Sequence, residues 1–428
     1  MQRNQLLKNL ANEVMFTLME RGMRKVENQN KLYFQTGCTL VDLVTGGSKD
    51  VFGFPAGKII NVVGDKSAGK TFICNEIIAS NHYKYGDKFK WMYDDCEAGY
   101  SFDTESMYGF NIVTPESNQS SKVEEAFYNI TKFIENLKDD EFGVYVLDSL
   151  DALTSDEADV LAEERIKAYD NDKEFDKGSY KMGKAKYLSQ EFFPQLCRKL
   201  ENKNVLLIII SQVRDNMDMF SFEKYSRAGG KALDFYCSHI VWLATAQKIL
   251  KKETPIGGTV KLKLTKGKVQ RPFRDCFYSF YFSYGIDDIG SNIDYLFDLR
   301  TANGSLSSAS AKSIAWEKDE NKLEVNSTNV RKFLQDNKKY DQAAATCPNG
   351  RFDLSCVLDF ISKDSELSNM FNEQFEKVMS RDSLISYIEN NNLQEELKKR
   401  VVEKWEEFEN SISIKRVKKY ATQPVSLE

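Results

Sequence analysis

Residues 64–71 read Gly64-Asp65-Lys66-Ser67-Ala68-Gly69-Lys70-Thr71, the spacing G-x-x-x-x-G-K-[ST]. These residue types suit phosphate chemistry. Glycines let successive backbone N–H groups turn toward one anion, Lys70 neutralises β- and γ-phosphates, and the Thr71 hydroxyl is a ligand for Mg2+. The flanks agree. Lys58-Ile59-Ile60-Asn61-Val62-Val63 reads as a buried strand and the run from Phe72 to Ala79 as a helix, whose positive end would face the anion. The pattern implies a site for a nucleoside triphosphate, ATP or a relative, with Mg2+.

Three further strands end in groups that complete such a site. Gly143-Val144-Tyr145-Val146-Leu147-Asp148-Ser149 is apolar up to Asp148, which is placed to share the Mg2+ with Thr71. Lys90-Trp91-Met92-Tyr93-Asp94-Asp95-Cys96-Glu97 ends in three acids. Hydrolysis needs a carboxylate to orient and deprotonate the attacking water, and Glu97 is the expected base, with Asp95 and Asp94 as alternatives. The strand from Asn204 to Ile210 runs into Ser211 and Gln212. An amide there can sense a γ-phosphate and its loss, coupling the nucleotide to the chain that follows. That chain, from Val213 to Lys231, mixes Arg, Lys, aromatic and Met residues and includes Gly229-Gly230. Cations of this kind bind phosphates, and apolar side chains stack on or wedge between bases.

The elements that must position these groups follow from periodicity. Over residues 34–300, strands expected at 58–63, 88–93, 143–148, 204–210, 237–243, 259–265 and 276–283 alternate with helices expected at 70–82, 122–137 and 183–201. The pattern is that of an α/β fold with a mostly parallel sheet, and the short connections among the last strands make that edge antiparallel. Residues 154–181 interrupt the alternation with a mostly acidic stretch that reads as a long loop with a short helix. An amphipathic helix is expected at the N-terminus, with Leu6, Leu7, Leu10, Val14 and Leu18 at helical spacing. Its apolar face packs on its own domain or docks a neighbouring protomer, and the sequence leaves both open. Residues 301–328 read as a linker and 329–428 as a separate, mostly helical domain whose chemistry is silent.

Composition narrows the class. The chain has 428 residues, 41% hydrophobic and 29% charged, with a net charge of −5, so a nucleic-acid site must be a local basic surface on an acidic protein. No apolar run is long enough to span a bilayer, and no signal-peptide core is expected at the start. Eight scattered cysteines without a C-x-x-C pair, and two histidines, argue against zinc or a disulfide framework and suit a reducing cytoplasm.

Residues 34–290 as a whole resemble the RecA-type recombinases. The likeness is carried by Phe34-Gln35-Thr36-Gly37-Cys38-Thr39-Leu40-Val41-Asp42, by Phe54-Pro55-Ala56-Gly57-Lys58-Ile59 running into the phosphate loop, by Asp95-Cys96-Glu97, and by Leu147-Asp148-Ser149-Leu150-Asp151-Ala152-Leu153. Most specific are Met182-Gly183, the Ile210-Ser211-Gln212-Val213-Arg214 run and Ala228-Gly229-Gly230-Lys231-Ala232-Leu233-Asp234-Phe235-Tyr236, in that order. The resemblance implies a RecA-like ATPase core that forms helical filaments on single-stranded DNA and pairs it with homologous duplex DNA, alongside single-strand-binding and loader proteins. Head-to-tail contacts that do not close into a ring give such a filament its symmetry. It also implies that Glu97 is catalytic. Residues 154–182 would form a first DNA loop, with Met182 and Gly183 at its exit. Residues 214–230 would form a second, with Arg214, Met217, Phe220, Phe222, Lys224, Tyr225, Arg227, Gly229 and Gly230 as contacts. Lys266 and Lys268 match the pair that reaches a neighbouring protomer's γ-phosphate.

The sequence departs from the family pattern at Lys66, where an acid is usual, at Ser211, where Asn is usual, in the acidic lengthening of the first loop, and in a basic stretch, Lys415-Arg416-Val417-Lys418-Lys419, near the end. Such divergence suits a virus-encoded member. A second reading stays open: a RecA-fold ATPase acting as a helicase-like motor or recombination mediator. A third, an assembly module with vestigial hydrolysis, sits poorly with Glu97, Asp148 and Gln212 all in place.

Overall fold

The structure, a computed structural model, describes residues 32–170, 180–215, 225–226, 230–269, 271–307, 314–317, 321–376, 378–414 and 416. The expected N-terminal helix lies outside them. The chain divides into two compact units between Asp287 and Asp288.

In the first unit, eight strands among the described residues form one sheet: β1 (Lys58–Gly64), β2 (Phe89–Asp95), β3 (Phe142–Asp148), β4 (Val205–Gln212), β5 (His239–Lys251), β6 (Thr254–Gly267), β7 (Asp275–Tyr281) and β8 (Gly285–Asp287). Their order is β8-β7-β6-β5-β1-β4-β3-β2. Strands β2, β3, β4, β1 and β5 run parallel, and β6, β7 and β8 follow antiparallel. The central strands read as continuous β-branched and Leu runs because helices cover both faces, and Val205 to Ile210 are each at most 1% exposed.

Helix α1 (Thr39–Gly46) is wholly buried, and α2 (Lys70–Tyr85) leaves the phosphate loop. Helix α3 (Val123–Asn136) buries Val123, Ala126, Ile130 and Ile134, one stripe at helical spacing. The expected helix at 183–201 is a succession: α5 (Tyr180–Tyr187), a π-helical turn over Leu188–Phe192, and α6 (Phe193–Leu200). Pro194 sits where α6 begins, which a continuous α-helical ladder would not accept.

Two elements differ from expectation. The acidic stretch contains a 15-residue helix, α4 (Asp156–Asp170). Its Ala, Leu, Glu, Lys and Arg content favours helix, and Asp156, Glu157 and Asp159 stand in the first turn, where negative charge is favourable. The hairpin of β5 and β6 is longer than expected and projects beyond the sheet. Residues 244–248 are exposed, so hydrophobic alternation marks only its buried base. Its turn places Lys252 and Glu253 at φ of 50° and 67°.

The second unit is mostly helical: α8 (Asp288–Leu296), α9 (Ser327–Asp336), α10 (Tyr340–Ala345), α11 (Leu354–Lys363), α12 (Ser365–Gln374), α13 (Arg381–Asn390) and α14 (Gln394–Ser411). Asn326, Asp353, Asp364 and Ser380 cap four of these helices through side-chain oxygens. The core gathers Val330, Phe333, Leu334, Val357, Ile361 and Phe375. Ile314–Ala315 pairs with Val378–Met379, and Trp316 and Val325 are buried, so these parts of the stretch read as a linker belong to the packed unit. Asp294, 1% exposed, accepts from Arg300 at 2.5 Å and Arg381 at 2.6 Å, a buried carboxylate held by two guanidinium groups.

Candidate active site

Parallel pairing brings the strand ends together. Gly64 lies in register with Gln212, and Asp95 with Asp148, at the carboxyl edge of the sheet, where open α/β folds place ligands. Beyond β1, Ser67 and Gly69 adopt left-handed φ of 62° and 86° as the loop winds into α2. A Cβ at Gly64 would stand 2.8 Å from the Leu243 carbonyl, so a larger residue would displace the loop from β5.

Lys70 donates to the carbonyls of Gly64 at 2.9 Å and Asp65 at 2.8 Å. Burial lowers its pKa, opposed by the carboxylates of Asp148, Glu97, Asp65 and Asp151. Thr71 Oγ1 lies 3.4 Å from Asp148 Oδ2, and Tyr93 OH donates to that same oxygen at 2.6 Å. Burial pushes the Asp148 carboxyl up to about 6; the Tyr93 hydrogen bond and Lys70 oppose this, while Glu97 and Asp95 add to it. A hydroxyl facing a carboxylate that burial leaves under-solvated is a donor set suited to a hard cation such as Mg2+.

Glu97 stands two residues past β2, exposed to the cleft. Its Oε1 accepts from Ser149 Oγ at 2.6 Å and from Gln212 Nε2 at 2.7 Å. The three carboxylates of the Asp94-Asp95-Cys96-Glu97 stretch have different surroundings. Asp94 is fully buried and takes hydrogen bonds from Ser120 N at 2.7 Å, Ser120 Oγ at 2.6 Å and Tyr145 OH at 2.6 Å. That makes it a structural group. Asp95, 6% exposed, accepts from Tyr100 N at 3.0 Å. Asp95 and Glu97 both line the cleft, and Glu97 is the one hydrogen-bonded to Gln212.

Lys70, Thr71, Asp95, Glu97, Asp148 and Gln212 line a cleft of about 390 Å³ that also includes Lys66, Ser67, Gly99, Tyr100 and Phe102. Tyr100 and Phe102 form an aromatic wall, with Phe102 edge-on to Phe72 of α2 at 5.0 Å. Sequence reasoning passed over this wall, over Tyr93, and over Ser149 and Asp151 as partners of Glu97 and Gln212. Asp151 Oδ2 accepts from the Gln212 backbone N–H at 2.9 Å. The signal for Ser149 and Asp151 was their position one and three residues beyond Asp148; nothing marked Tyr93, an aromatic residue in an apolar strand. Ser211, the departure beside Gln212, is buried and accepts from Asn61 at 2.9 Å.

The remaining expected residues lie elsewhere. Lys266 and Lys268 are not in the cleft wall. Lys266 donates to the carbonyls of Asp234 and Phe235, and Lys268 to that of Phe235 at 3.4 Å, capping the end of α7 (Gly230–Tyr236). Met182 and Gly183 fall within α5. Arg214–Asp215 pairs antiparallel with Tyr225–Ser226, closing the base of the 214–230 segment, and Gly230 opens α7. Met217, Phe220, Phe222, Lys224, Arg227 and Gly229 lie outside the described residues. Among the described residues no helix is long and apolar enough to cross a membrane.

Comparison with known proteins bears on this arrangement. The family model described as "RecA N-terminal domain" matches residues 4–287. The chain is 27% identical over 313 residues to Protein RecA of Sulfurovum sp. (strain NBC37-1), covering 72% of this chain and 82% of that protein. It is 28% identical over 309 residues to Protein RecA of Allochromatium vinosum, covering 72% and 80%. Among solved structures it is similar to the crystal structure of the RadB recombinase at 19% identity and a TM-score of 0.41, over 59% of this chain and 98% of that one.

Proposed function

The chain belongs to the RecA family, and on that premise we propose that it is a DNA-dependent ATPase that assembles as a helical filament on single-stranded DNA and pairs it with homologous duplex. The observation that carries this reading is the contact of Gln212 with Glu97 inside the cleft that holds Lys70, Thr71 and Asp148. The amide that opens the 214–230 segment bonds directly to the group expected to activate water.

In this reading the loop N–H groups and Lys70 hold the triphosphate, and Glu97 takes the proton of the attacking water. Mg2+, held by Thr71 and Asp148, would draw charge from the phosphate oxygens. Gln212 fixes the Glu97 carboxylate in one orientation, and a shift of the 214–230 segment changes that bond. DNA binding and hydrolysis thereby become linked. Lys266 and Lys268 would supply positive charge to a site completed by a second protomer.

The test is ATP turnover with and without single-stranded DNA, with negative-stain imaging of the same samples. Strong stimulation together with helical filaments is expected. DNA-independent turnover or closed rings would favour a RecA-fold motor or mediator instead, and absence of turnover would reduce the site to a nucleotide-gated assembly module.

A further inference from the structure

One short turn, residues 149–153, is hydrogen-bonded to both Glu97 and Gln212. Ser149 donates to Glu97 at 2.6 Å, and Asp151 accepts from the Gln212 backbone at 2.9 Å. The turn is tied to the sheet through Leu150 N, which donates to the Ile210 carbonyl at 3.2 Å. From outside the sheet, Lys184 of α5 donates through Nζ to the carbonyls of Leu150 at 3.0 Å and Leu153 at 2.5 Å.

Lys184 does not line the nucleotide cleft. A surface lysine keeps its ammonium in water; this one is half-buried and directed onto backbone carbonyls. Withdrawing a charge from water costs free energy unless charge-assisted hydrogen bonds compensate, so the link between α5 and the turn is stiff. Leu150 and Leu153 are buried, at 0% and 3% exposure. A packed turn of this kind moves as a unit, because close-packed interiors transmit displacement.

We propose that Lys184 is a positioning residue that relays occupancy of the 154–182 segment to Glu97. The proposal rests on the reading of that segment as DNA-binding and of the cleft as an ATPase site. Helix α5 overlaps the exit of the segment, so DNA held there displaces α5, and Lys184 carries the displacement to the carbonyls of Leu150 and Leu153. The turn then shifts Ser149 and Asp151, which hold Glu97 and Gln212. The first DNA segment thus reaches Glu97 directly through Ser149, in addition to acting through Asp151 on Gln212.

The test compares wild type, Lys184→Met and Lys184→Arg for ATP turnover with and without a thymidine homopolymer of single-stranded DNA, and for affinity for the same DNA. Lys184→Met is expected to keep basal turnover and DNA affinity while DNA stimulation falls about tenfold. Lys184→Arg, which keeps the charged donor, is expected to recover part of it. Full stimulation of Lys184→Met overturns the relay alone. Loss of DNA affinity overturns it in favour of a direct phosphate contact. A wild-type chain that turns over ATP without DNA stimulation overturns the functional reading beneath it. Should Lys184→Met fail to fold, amide exchange of residues 149–153 in the wild-type chain decides: a change on adding the DNA supports the relay, and none overturns it.

Discussion

Gln212 Nε2 reaches Glu97 Oε1 across 2.7 Å although their strands are not neighbours; β3 lies between β4 and β2. The bond forms because Glu97 stands past the end of its strand and leans over Asp148 and Ser149 toward the cleft. Glu97→Gln keeps the size of the side chain and removes the proposed base. Turnover is expected to fall by about a hundredfold or more, with nucleotide binding retained. Wild-type turnover in this variant would move the role to Asp95, since Asp94 is consumed by Ser120 and Tyr145.

Lys70 is held by two carbonyls of its own loop, ready to turn to a phosphate. Lys70→Ala is expected to weaken ATP binding at least about tenfold, as the loss of a charged hydrogen-bond donor does. Titration with a fluorescent ATP analogue measures this directly. Undiminished affinity would remove the phosphate-loop assignment.

The raised carboxyl of Asp148 sets a pH dependence. Above about 6 it is ionised and suited to a cation; below, it is protonated. The Mg2+ concentration for half-maximal turnover should therefore rise as pH falls through about 6. Tyr93→Phe removes a hydrogen bond that favours the ionised form, so the midpoint should move to higher pH. A midpoint that stays put would mean another group controls the titration.

His239 is buried at the start of β5, with Nε2 against the Thr45 carbonyl at 3.1 Å, and burial lowers its pKa from 6.5 to about 4. The folded chain keeps this ring neutral where the unfolded chain protonates it, so its stabilising contribution is complete above pH 6.5 and is lost as pH falls toward 4. One pKa unit is worth about 1.4 kcal/mol, which puts the whole loss between about 3 and 4 kcal/mol. The urea midpoint should drop between pH 7 and pH 5, and drop less in His239→Gln. An equal drop in both would locate the acid sensitivity elsewhere.

Arg214 and Arg227 are the arginines of the second candidate DNA segment. Replacing both with Ala should lower affinity for single-stranded DNA and flatten its salt dependence, because fewer counterions are released. An unchanged salt slope would show that this segment does not touch phosphate.

Most of the sheet and the phosphate loop were legible because each strand reads as an apolar run that ends in a group with chemistry. Asp148 closes its strand in the structure as in the sequence, while β1 and β4 run on to Gly64 and Gln212. What escaped was set by tertiary contact. Tyr93 reads as one more apolar strand residue until β3 brings Asp148 beside it. Lys184 falls in the helix expected over 183–201 with nothing to mark it until α5 packs near the turn after β3. Helix α4 was hidden by its charge, since a helix with few apolar positions carries little periodicity. The packing of Trp316 and Val325 into the second unit was obscured because each is an isolated apolar residue in a polar stretch.

If the chain forms the proposed filament, the capping of α7 by Lys266 and Lys268 has a consequence for when chains associate. The ammonium groups that a neighbour's nucleotide would need already serve backbone carbonyls within one chain. Lending a cation to the neighbour would then mean uncapping the helix, a loss that a triphosphate across the junction would offset. The solitary chain is thereby biased against joining an empty partner. The concentration at which chains begin to polymerise should fall when ATP is supplied and rise again once it is spent.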